Sequence, residues 1–323
     1  TPLKVKKTLD EALMKAGVSF ITGTLATDLL TDTVGLVSGV VLANRSGRQA
    51  VKARVVIDAT ERGVLARSAG AQSAPFPSGV YTFRRVVIAG EAPQAEGVRV
   101  KELFGLYDAR VTGIRPPKGM PDEIKGRMFE CEIDMPMKDG SSRSFAEAEQ
   151  RARDLTFVAT QLDSADTLLL VPPDHIAGTA TSRAGWQGVD ALDLKVFKPK
   201  GIENLYVLGA LADVSRAAAA ELVKPGNLMA AGERVGAAAA ADARGRGEVG
   251  AVRLRGVSQR SAGAGRVFEH ARGLPPYLSN TAGTVEADPK DLPVLAECDV
   301  LVAGAGTGGG PAGIAAARQG AKT

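Results

Sequence analysis

Apolar and polar positions alternate along the first sixty residues in two different periods. In residues 3–16 the apolar positions recur at the spacing of one helix face, with lysines on the opposite face. The apolar face consists of Leu9, Leu13 and Ala16. This pattern predicts an amphipathic helix that ends before Gly17, a residue type that commonly follows the last helical turn.

From residue 18 to residue 60 the period changes to that of β-strands. The runs in 18–33 and 35–60 predict a β-meander, with a hairpin turn at "NRSG", Asn44–Gly47. The last run, "ARVVIDAT", is continuously apolar until it reaches Asp58 and Thr60, which is typical of a buried strand. The segment "RGVLARSAGA" after it predicts a short helix.

The pattern becomes β-rich between residues 72 and 200. Strand-like runs such as "GVYTFRRVVIAG" and "RMFECEIDMP" alternate with loops in which prolines are concentrated. One amphipathic segment, residues 141–162, predicts a helix capped by a serine. These elements favour an inserted domain of strands and one helix.

Beyond residue 200 two segments show the same order of strand, turn and helix. "IENLYVLGAL" predicts a buried strand ending at Gly209, and Pro225 and Gly226 then lead into a helix of small residues. Residues 246–297 are rich in Gly, Ser, Pro and charge, which predicts a linker. The final residues, 298–323, predict another strand, a glycine turn and a helix.

Composition excludes several classes of protein. The 323 residues are enough for roughly two domains with a real core, and 45% of them are apolar. The net charge of +4 is spread among 36 acidic residues and only 4% are aromatic, so a stacking platform for nucleic acid is not expected. No apolar run approaches about 18 residues, so no membrane span is expected. No targeting segment is visible, and we expect a cytoplasmic protein.

Metal and dithiol chemistry are also not expected. Cys131 and Cys298 lie far apart and form no C-x-x-C, and the chain has only two histidines. We therefore expect no metal site. The sequence shows no serine or cysteine in a recognisable activated context, so no nucleophile is assigned.

The glycine turn near the C-terminus is the strongest chemical signal. Gly304, Gly306 and Gly309 form G-x-G-x-x-G directly after the apolar run Asp299–Ala303. In such a turn the first glycine permits a tight bend, the second lets the backbone approach a pyrophosphate, and the third allows close packing of helix and strand. A second register, which starts at Gly308, also fits the spacing. The acidic residue expected about 20 positions later, which binds a ribose, does not follow in this chain.

Three motifs together resemble one family of proteins. "GAGTGGGPAGIAAARQGAKT", "NRSGRQAVKARVVIDAT" and "NLYVLGAL…KPGNLMAAGERVGAAAA" are similar to FAD-dependent oxidoreductases, the glutathione-reductase-type flavoproteins with two dinucleotide-binding domains. The resemblance implies an α/β fold: an FAD/NAD(P)-binding Rossmann-like sheet with a β-meander and an inserted β-rich α+β domain, which we expect to be incomplete in this chain. It implies FAD as cofactor and these cofactor-binding residues: Gly304, Gly306, Gly308, Gly309, Pro311, Ala59, Thr60, Gly209, Asp213, Gly226, Asn227 and Leu228.

The resemblance also implies a division of the chain. Residues 1–72 and 201–245 would form the FAD-binding domain, 73–200 the inserted substrate-side domain, 246–297 a linker, and 298–323 part of a dinucleotide-binding unit. Two positions depart from the family pattern: Glu61 follows Thr60 where the family usually has glycine, and Asp213 lies in "ALAD" where "GD" or "GR" is typical.

The order of the motifs is the largest departure, because family members begin with the glycine turn. Three explanations stay open: a fragment that spans two flavoprotein units, a permuted chain whose C-terminal strand and helix join the same sheet, or a misassembled sequence. We favour the fragment, and then expect this chain alone to hold little flavin. The expected partners are a small-molecule substrate and either the remaining part of the same polypeptide or a second copy of the chain.

The expected activity is flavin-mediated hydride or electron transfer on a small molecule. Two alternatives stay open, namely an NAD(P)-binding dehydrogenase-like domain and a non-catalytic remnant without bound cofactor. In a flavoenzyme the flavin carries the redox chemistry, and the protein supplies binding, orientation and electrostatics. His175 and Arg216 are the candidates for catalytic side chains, the first as a proton donor or acceptor and the second as an anion-binding group.

Overall fold

The computed structural model describes residues 2–109, 124–165, 168–180, 185–254, 294–304 and 306–323. The chain forms two compact units. The first unit consists of Thr1–Ser73 and His175–Thr323, and the second of Ala74–Asp174. Most of the predicted linker, residues 255–293, lies outside the described residues.

The first unit is built on one six-stranded mixed sheet. Its strands are β1 (Leu25–Thr31), β2 (Val37–Asn44), β3 (Gly47–Asp58), β8 (Leu205–Val207), β9 (Arg253–Leu254) and β10 (Val294–Ala303). Its helices are α1 (Pro2–Lys15), α2 (Val64–Ser68), α4 (Arg216–Leu222), α5 (Pro225–Arg244) and α6 (Gly309–Arg318), with a 3-10 turn at Leu194–Phe197.

Strands β1, β2 and β3 form the predicted β-meander. Each pairs antiparallel with the next, and the β2–β3 hairpin closes at the Asn44–Gly47 pair. Gly47 has a φ of 98°, a left-handed conformation that glycine adopts without steric cost. The predictions of this meander, of the first helix and of the hairpin turn are confirmed.

Strand β3 is an interior strand of this sheet, with neighbours on both sides. Val55, Val56 and Ile57 are fully buried, as expected for a strand covered on both faces. Residues 56–58 pair in parallel with β8 and also with β10, so β8 and β10 lie on opposite sides of β3. The strand that precedes the glycine turn therefore joins the sheet of the N-terminal residues.

This pairing corresponds to the permuted arrangement among the three explanations left open by the sequence. Strand β10 begins at Val294, five residues before the predicted start at Asp299. Two ion pairs support the register between β10 and β3: Lys52 with Glu297 at 2.8 Å and Arg54 with Asp299 at 2.7 Å. Parts of the predicted linker are thus strands, since β9 also pairs with β1.

The second unit is an antiparallel sheet with one helix. Its core includes Phe83 and Ile133 of the sheet and two alanines of the helix, Ala148 and Ala152. Its strands follow the order β5-β6-β4-β7. They are β4 (Gly79–Ala89), β5 (Val98–Ala109), β6 (Ile124–Met137) and β7 (Gln161–Ser164), and the helix is α3 (Ser142–Thr156). The predicted combination of strands with one helix is confirmed.

Helix α3 is shorter than the sequence predicted. Ser141 caps it as expected by accepting a hydrogen bond from the Ser144 amide, but the helix ends at Thr156 and not at residue 162. Phe157 is already extended, and Gln161 pairs with Ala89 of β4. The pattern of the segment is compatible with a helix, but pairing with a distant strand edge satisfies its backbone groups instead.

Candidate nucleotide site

The glycine turn begins where β10 ends, directly beside the end of β3. The Ala59 amide donates a hydrogen bond to the Ala303 carbonyl oxygen at 2.7 Å. Gly304 has a φ of 100°, and a Cβ at this position would lie 2.5 Å from the Ala59 carbonyl oxygen. Only glycine therefore fits at the first position, both for conformation and for space.

The second and third glycines have opposite surroundings. A Cβ at Gly309 would overlap the Gly304 carbonyl oxygen, so this glycine is needed for the close return of the chain into α6. At Gly306, which is exposed, no described atom lies within 4 Å of the corresponding position. The turn therefore has no room for a side chain at its first and third glycines, whereas the space beside the second is open. The approach of a pyrophosphate requires this geometry.

Helix α5 packs directly against the turn. A Cβ at Gly308 would lie 2.9 Å from Cγ of Leu228 and 3.4 Å from Cδ2 of Leu208. A Cβ at Gly232 would overlap the Gly308 carbonyl oxygen, and one at Gly236 would overlap the Ala312 carbonyl oxygen. Gly232 and Gly236, one helical turn apart, thus let α5 approach the backbone of α6. The sequence did not indicate this role.

The end of β3 is held by a buried carboxylate. Asp58 is fully buried, and its Oδ1 accepts hydrogen bonds from the Thr60 amide at 3.1 Å and the Thr60 hydroxyl at 2.6 Å. Its Oδ2 accepts from the Ala66 amide in α2 at 2.8 Å. Burial raises the pKa of this carboxyl, while the bonds from Thr60 and Ala66 oppose the rise. The sequence predicted Ala59 and Thr60 as cofactor-binding residues but did not indicate Asp58.

The predicted flavin-side residues have varied surroundings. Gly209 has a φ of 140° and, like Gly226, has open space where a Cβ would be. Asp213 is buried and accepts a hydrogen bond from the Gly178 amide at 3.1 Å. The Asn227 side chain donates to the Glu221 carbonyl oxygen at 2.9 Å, across the junction of α4 and α5. The side chains of Asp213 and Asn227 thus bind protein backbone in this structure.

Pro311 is the third residue of α6 and is half-buried. Near the first position of a helix a proline loses little, because the first amides have no acceptor within the helix. Pro311 therefore fits the start of α6 without disturbing its hydrogen bonds.

The two candidate catalytic residues lie in different settings. His175 is half-buried in an irregular segment, and the amide of its neighbour Ile176 donates to the Leu211 carbonyl oxygen at 2.9 Å. Arg216 is the first residue of α4 and is exposed. Glu221, in the last turn of α4, receives the Lys224 ammonium at 2.6 Å. A catalytic role for either residue stays a prediction.

A cavity of about 730 Å³ lies beside the first residues of β8 and the last turn of α5. Within it the Tyr206 hydroxyl donates to Asp242 Oδ2 at 2.6 Å, and the Lys198 ammonium lies 3.0 Å from the same oxygen. Burial opposes ionisation of Asp242, but the bonds from Tyr206 and Lys198 hold its pKa below the usual range. None of the predicted cofactor-binding residues lines this cavity.

The described residues contain neither a cluster of metal ligands nor a helix that could cross a membrane. No group of three or more His, Cys, Asp or Glu side chains in the described ranges could hold a metal ion. Within the same ranges, no helix is long and apolar enough to cross a membrane.

Comparison with known proteins gives one match in sequence. Residues 1–75 match the family described as FAD dependent oxidoreductase. No curated protein matches the chain. The family match over residues 1–75 agrees with the resemblance to FAD-dependent oxidoreductases.

Similarity to solved structures is weaker. BexE is 14% identical, with a TM-score of 0.36, over 70% of this chain and 39% of that chain. The anhydrotetracycline hydroxylase OxyS from Streptomyces rimosus is 11% identical, with a TM-score of 0.35, over 72% of this chain and 40% of that chain. The chain thus spans about two fifths of the length of these proteins. Scores at this level carry no argument about activity.

Proposed function

We propose that the chain is an FAD-dependent oxidoreductase that transfers a hydride or electrons to or from a small molecule. One observation carries the proposal: three segments that are far apart in sequence lie in contact with one another. They are the glycine turn, the end of β3 and helix α5. Ala59 contacts the turn from one side and Leu228 from another, while Gly306 is left open. The family match over residues 1–75, which include the end of β3, supports FAD over other nucleotides.

In this proposal Gly304, Gly306 and Gly309 hold the pyrophosphate of FAD. The amino end of α6 faces this turn, and its backbone N–H groups and dipole favour a negatively charged group there. Gly308 and Pro311 shape the start of the same helix. Bound FAD supplies the redox chemistry, and the protein orients it and excludes water from it.

The remaining predicted residues belong to the flavin side of the proposed site. They are Ala59, Thr60, Gly209, Asp213, Gly226, Asn227 and Leu228. Gly209 and Gly226 leave open space for a ligand, whereas Asp213 and Asn227 would contribute by fixing the backbone that they bind. The second unit is proposed as the substrate-side module, and a second copy or a further part of the polypeptide as the partner. A cytoplasmic location stays a prediction of the sequence.

Replacement of Gly306 tests the function. Because the space around Gly306 is open, Gly306→Val should leave the fold intact and place its side chain where the pyrophosphate would lie. We expect FAD affinity, measured by the change in flavin fluorescence on titration, to fall by at least about tenfold, or about 1.4 kcal/mol. The free energy of unfolding of the apoprotein should change by less than about 0.5 kcal/mol.

The matched control is Gly245→Ala. Gly245 ends α5 with a φ of −76°, and a Cβ there would make only an ordinary contact with the Asp242 carbonyl oxygen at 3.6 Å. This variant should bind FAD as the parent does. Equal FAD affinity for the parent and Gly306→Val would contradict the proposed site, and titration with NADH in place of FAD would show whether a pyridine nucleotide binds better.

A further inference from the structure

The carboxylate of Asp58 joins three pieces of backbone around the end of β3. Its Oδ1 accepts the Thr60 amide and hydroxyl, and its Oδ2 accepts the Ala66 amide. The Thr60 hydroxyl in turn accepts the Val64 amide at 2.9 Å. These bonds fix both the loop after β3 and the first turn of α2.

Ala59 lies between Asp58 and Thr60 in the sequence and contacts the glycine turn. Its carbonyl oxygen lies 2.5 Å and its carbonyl carbon 2.7 Å from the position that a Cβ of Gly304 would occupy. Its own Cβ lies 3.2 Å from the corresponding position of Gly309. The first glycine of the turn therefore packs against the Ala59 carbonyl group, and the third lies next to the Ala59 side chain.

The orientation of the Ala59 carbonyl group depends on the hydrogen bonds of two amides. The Ala59 amide is bound to Ala303, and the following amide, that of Thr60, is bound to Asp58. A rotation of the Ala59 peptide would break the Thr60 bond and push the carbonyl oxygen into Gly304. A buried carboxylate that loses a donor is costly, because its charge then lacks compensation.

We infer that Asp58 is a positioning residue of the nucleotide site, which acts through Thr60 and Ala59 to hold the glycine turn in its binding conformation. It does not touch the cofactor. Its role differs from that of a simple helix cap, because a cap of α2 alone would have no effect on residues 304–310. The FAD arm of the test below rests on the proposed function, and the exchange arm does not.

Asp58→Asn is the informative variant. An asparagine has nearly the same shape, but its NH₂ group would face either the two donors of Thr60 or the amide of Ala66, so one set of hydrogen bonds fails in either orientation. The matched control is Asp32→Asn. Asp32 also accepts backbone amides, those of Val34 at 3.0 Å and Leu36 at 2.8 Å, and it lies in the turn between β1 and β2, outside β3 and β10.

Hydrogen exchange of the apoprotein measures the positioning directly. In Asp58→Asn we expect amides in the peptide covering residues 304–312 to exchange at least about tenfold faster than in the parent, with residues 294–302 changed less. Asp32→Asn should leave the exchange of residues 304–312 within about threefold of the parent. If Asp58→Asn does not fold, Thr60→Val removes one of the donors to Asp58 and should accelerate the same peptide.

FAD titration of the same variants separates this inference from the proposed function. We expect Asp58→Asn to bind FAD at least about tenfold more weakly than the parent, and Asp32→Asn to bind as the parent does. Unchanged exchange of residues 304–312 in Asp58→Asn, or in Thr60→Val if only that variant folds, would overturn the inference even if FAD binds. Faster exchange together with no FAD binding by the parent would support the positioning role and refute the proposed function.

Discussion

Individual glycines in this chain serve different physical purposes although they share one motif. Gly306 faces open space, whereas Gly309 faces the Gly304 carbonyl oxygen at a distance that excludes any side chain. The sequence predicted the tight bend at the first glycine and the close packing at the third, because both follow from local chain geometry, whereas the approach of a pyrophosphate at the second stays a prediction. It did not reveal Asp58, since an aspartate at the end of a strand gives no sign of which amides it will meet.

Two glycines of α6 provide a prediction at this scale. Gly309→Ala should lower the free energy of unfolding by about 1–3 kcal/mol, because the new methyl group overlaps backbone that cannot move freely. Gly313→Ala, four residues later, meets only ordinary contacts from 3.8 Å and should be neutral or stabilise by up to about 1 kcal/mol through helix propensity. Urea unfolding of both variants measures the difference, and equal effects would show that the turn is looser than described.

Pairs of elements in this chain approach each other closely where small residues face one another. Helix α5 meets α6 through Gly232 and Gly236, whose hydrogen atoms face carbonyl oxygens of the neighbouring helix. The sequence showed a helix of small residues. It could not identify the partner, because the same surface would fit any helix or sheet.

The contact between α5 and α6 makes a second prediction. Gly236→Ala should lower the free energy of unfolding by at least about 1 kcal/mol, since overlap with the Ala312 carbonyl oxygen outweighs the gain in helix propensity. Gly245→Ala, at the end of the same helix, should change it by less than about 0.5 kcal/mol. Thermal and urea unfolding followed by circular dichroism would detect the difference, and a stabilised Gly236→Ala would contradict the close approach of the helices.

Neighbouring strands of the second unit are joined by hydrogen bonds to an ionised carboxylate, and these bonds should weaken when acid protonates it. Asp134 on β6 is bound by the Arg99 guanidinium of β5 and by the Thr82 hydroxyl of β4 at 2.6 Å. These bonds lower the pKa of Asp134 to about 2. A carboxyl with a lowered pKa stabilises the folded state above its unfolded pKa of about 4, and this contribution is lost as the pH falls towards 2.

Substitution of Asp134 isolates that contribution. The free energy of unfolding of the parent should decrease between about pH 4 and pH 2 more steeply than that of Asp134→Asn. Denaturant unfolding at several pH values in this range measures the two slopes. Parallel slopes would mean that the cross-strand bonds to Asp134 do not persist in solution.

Over the whole molecule, the arrangement depends on a pairing that no local pattern contains. The sequence predicted the strand before the glycine turn and the strand that ends at Asp58, but it favoured separate units for them. In the structure they are parallel neighbours, with Val300 opposite Val55 and Ala303 opposite Asp58. Both runs are apolar and would fit many sheets, so pairing between opposite ends of the chain follows only from the complete fold.

Hydrogen exchange of the parent chain with and without FAD tests most directly whether distant segments form one site. The account predicts that FAD slows exchange in three separate peptides, which cover residues 58–62, 225–232 and 304–312, with no matching change in β5 or β6. Their slowing should appear at the same FAD concentration, because one ligand would contact all three. Protection confined to residues 304–312, or absent from all three peptides at saturating FAD, would contradict the claim that these segments meet to form an FAD site.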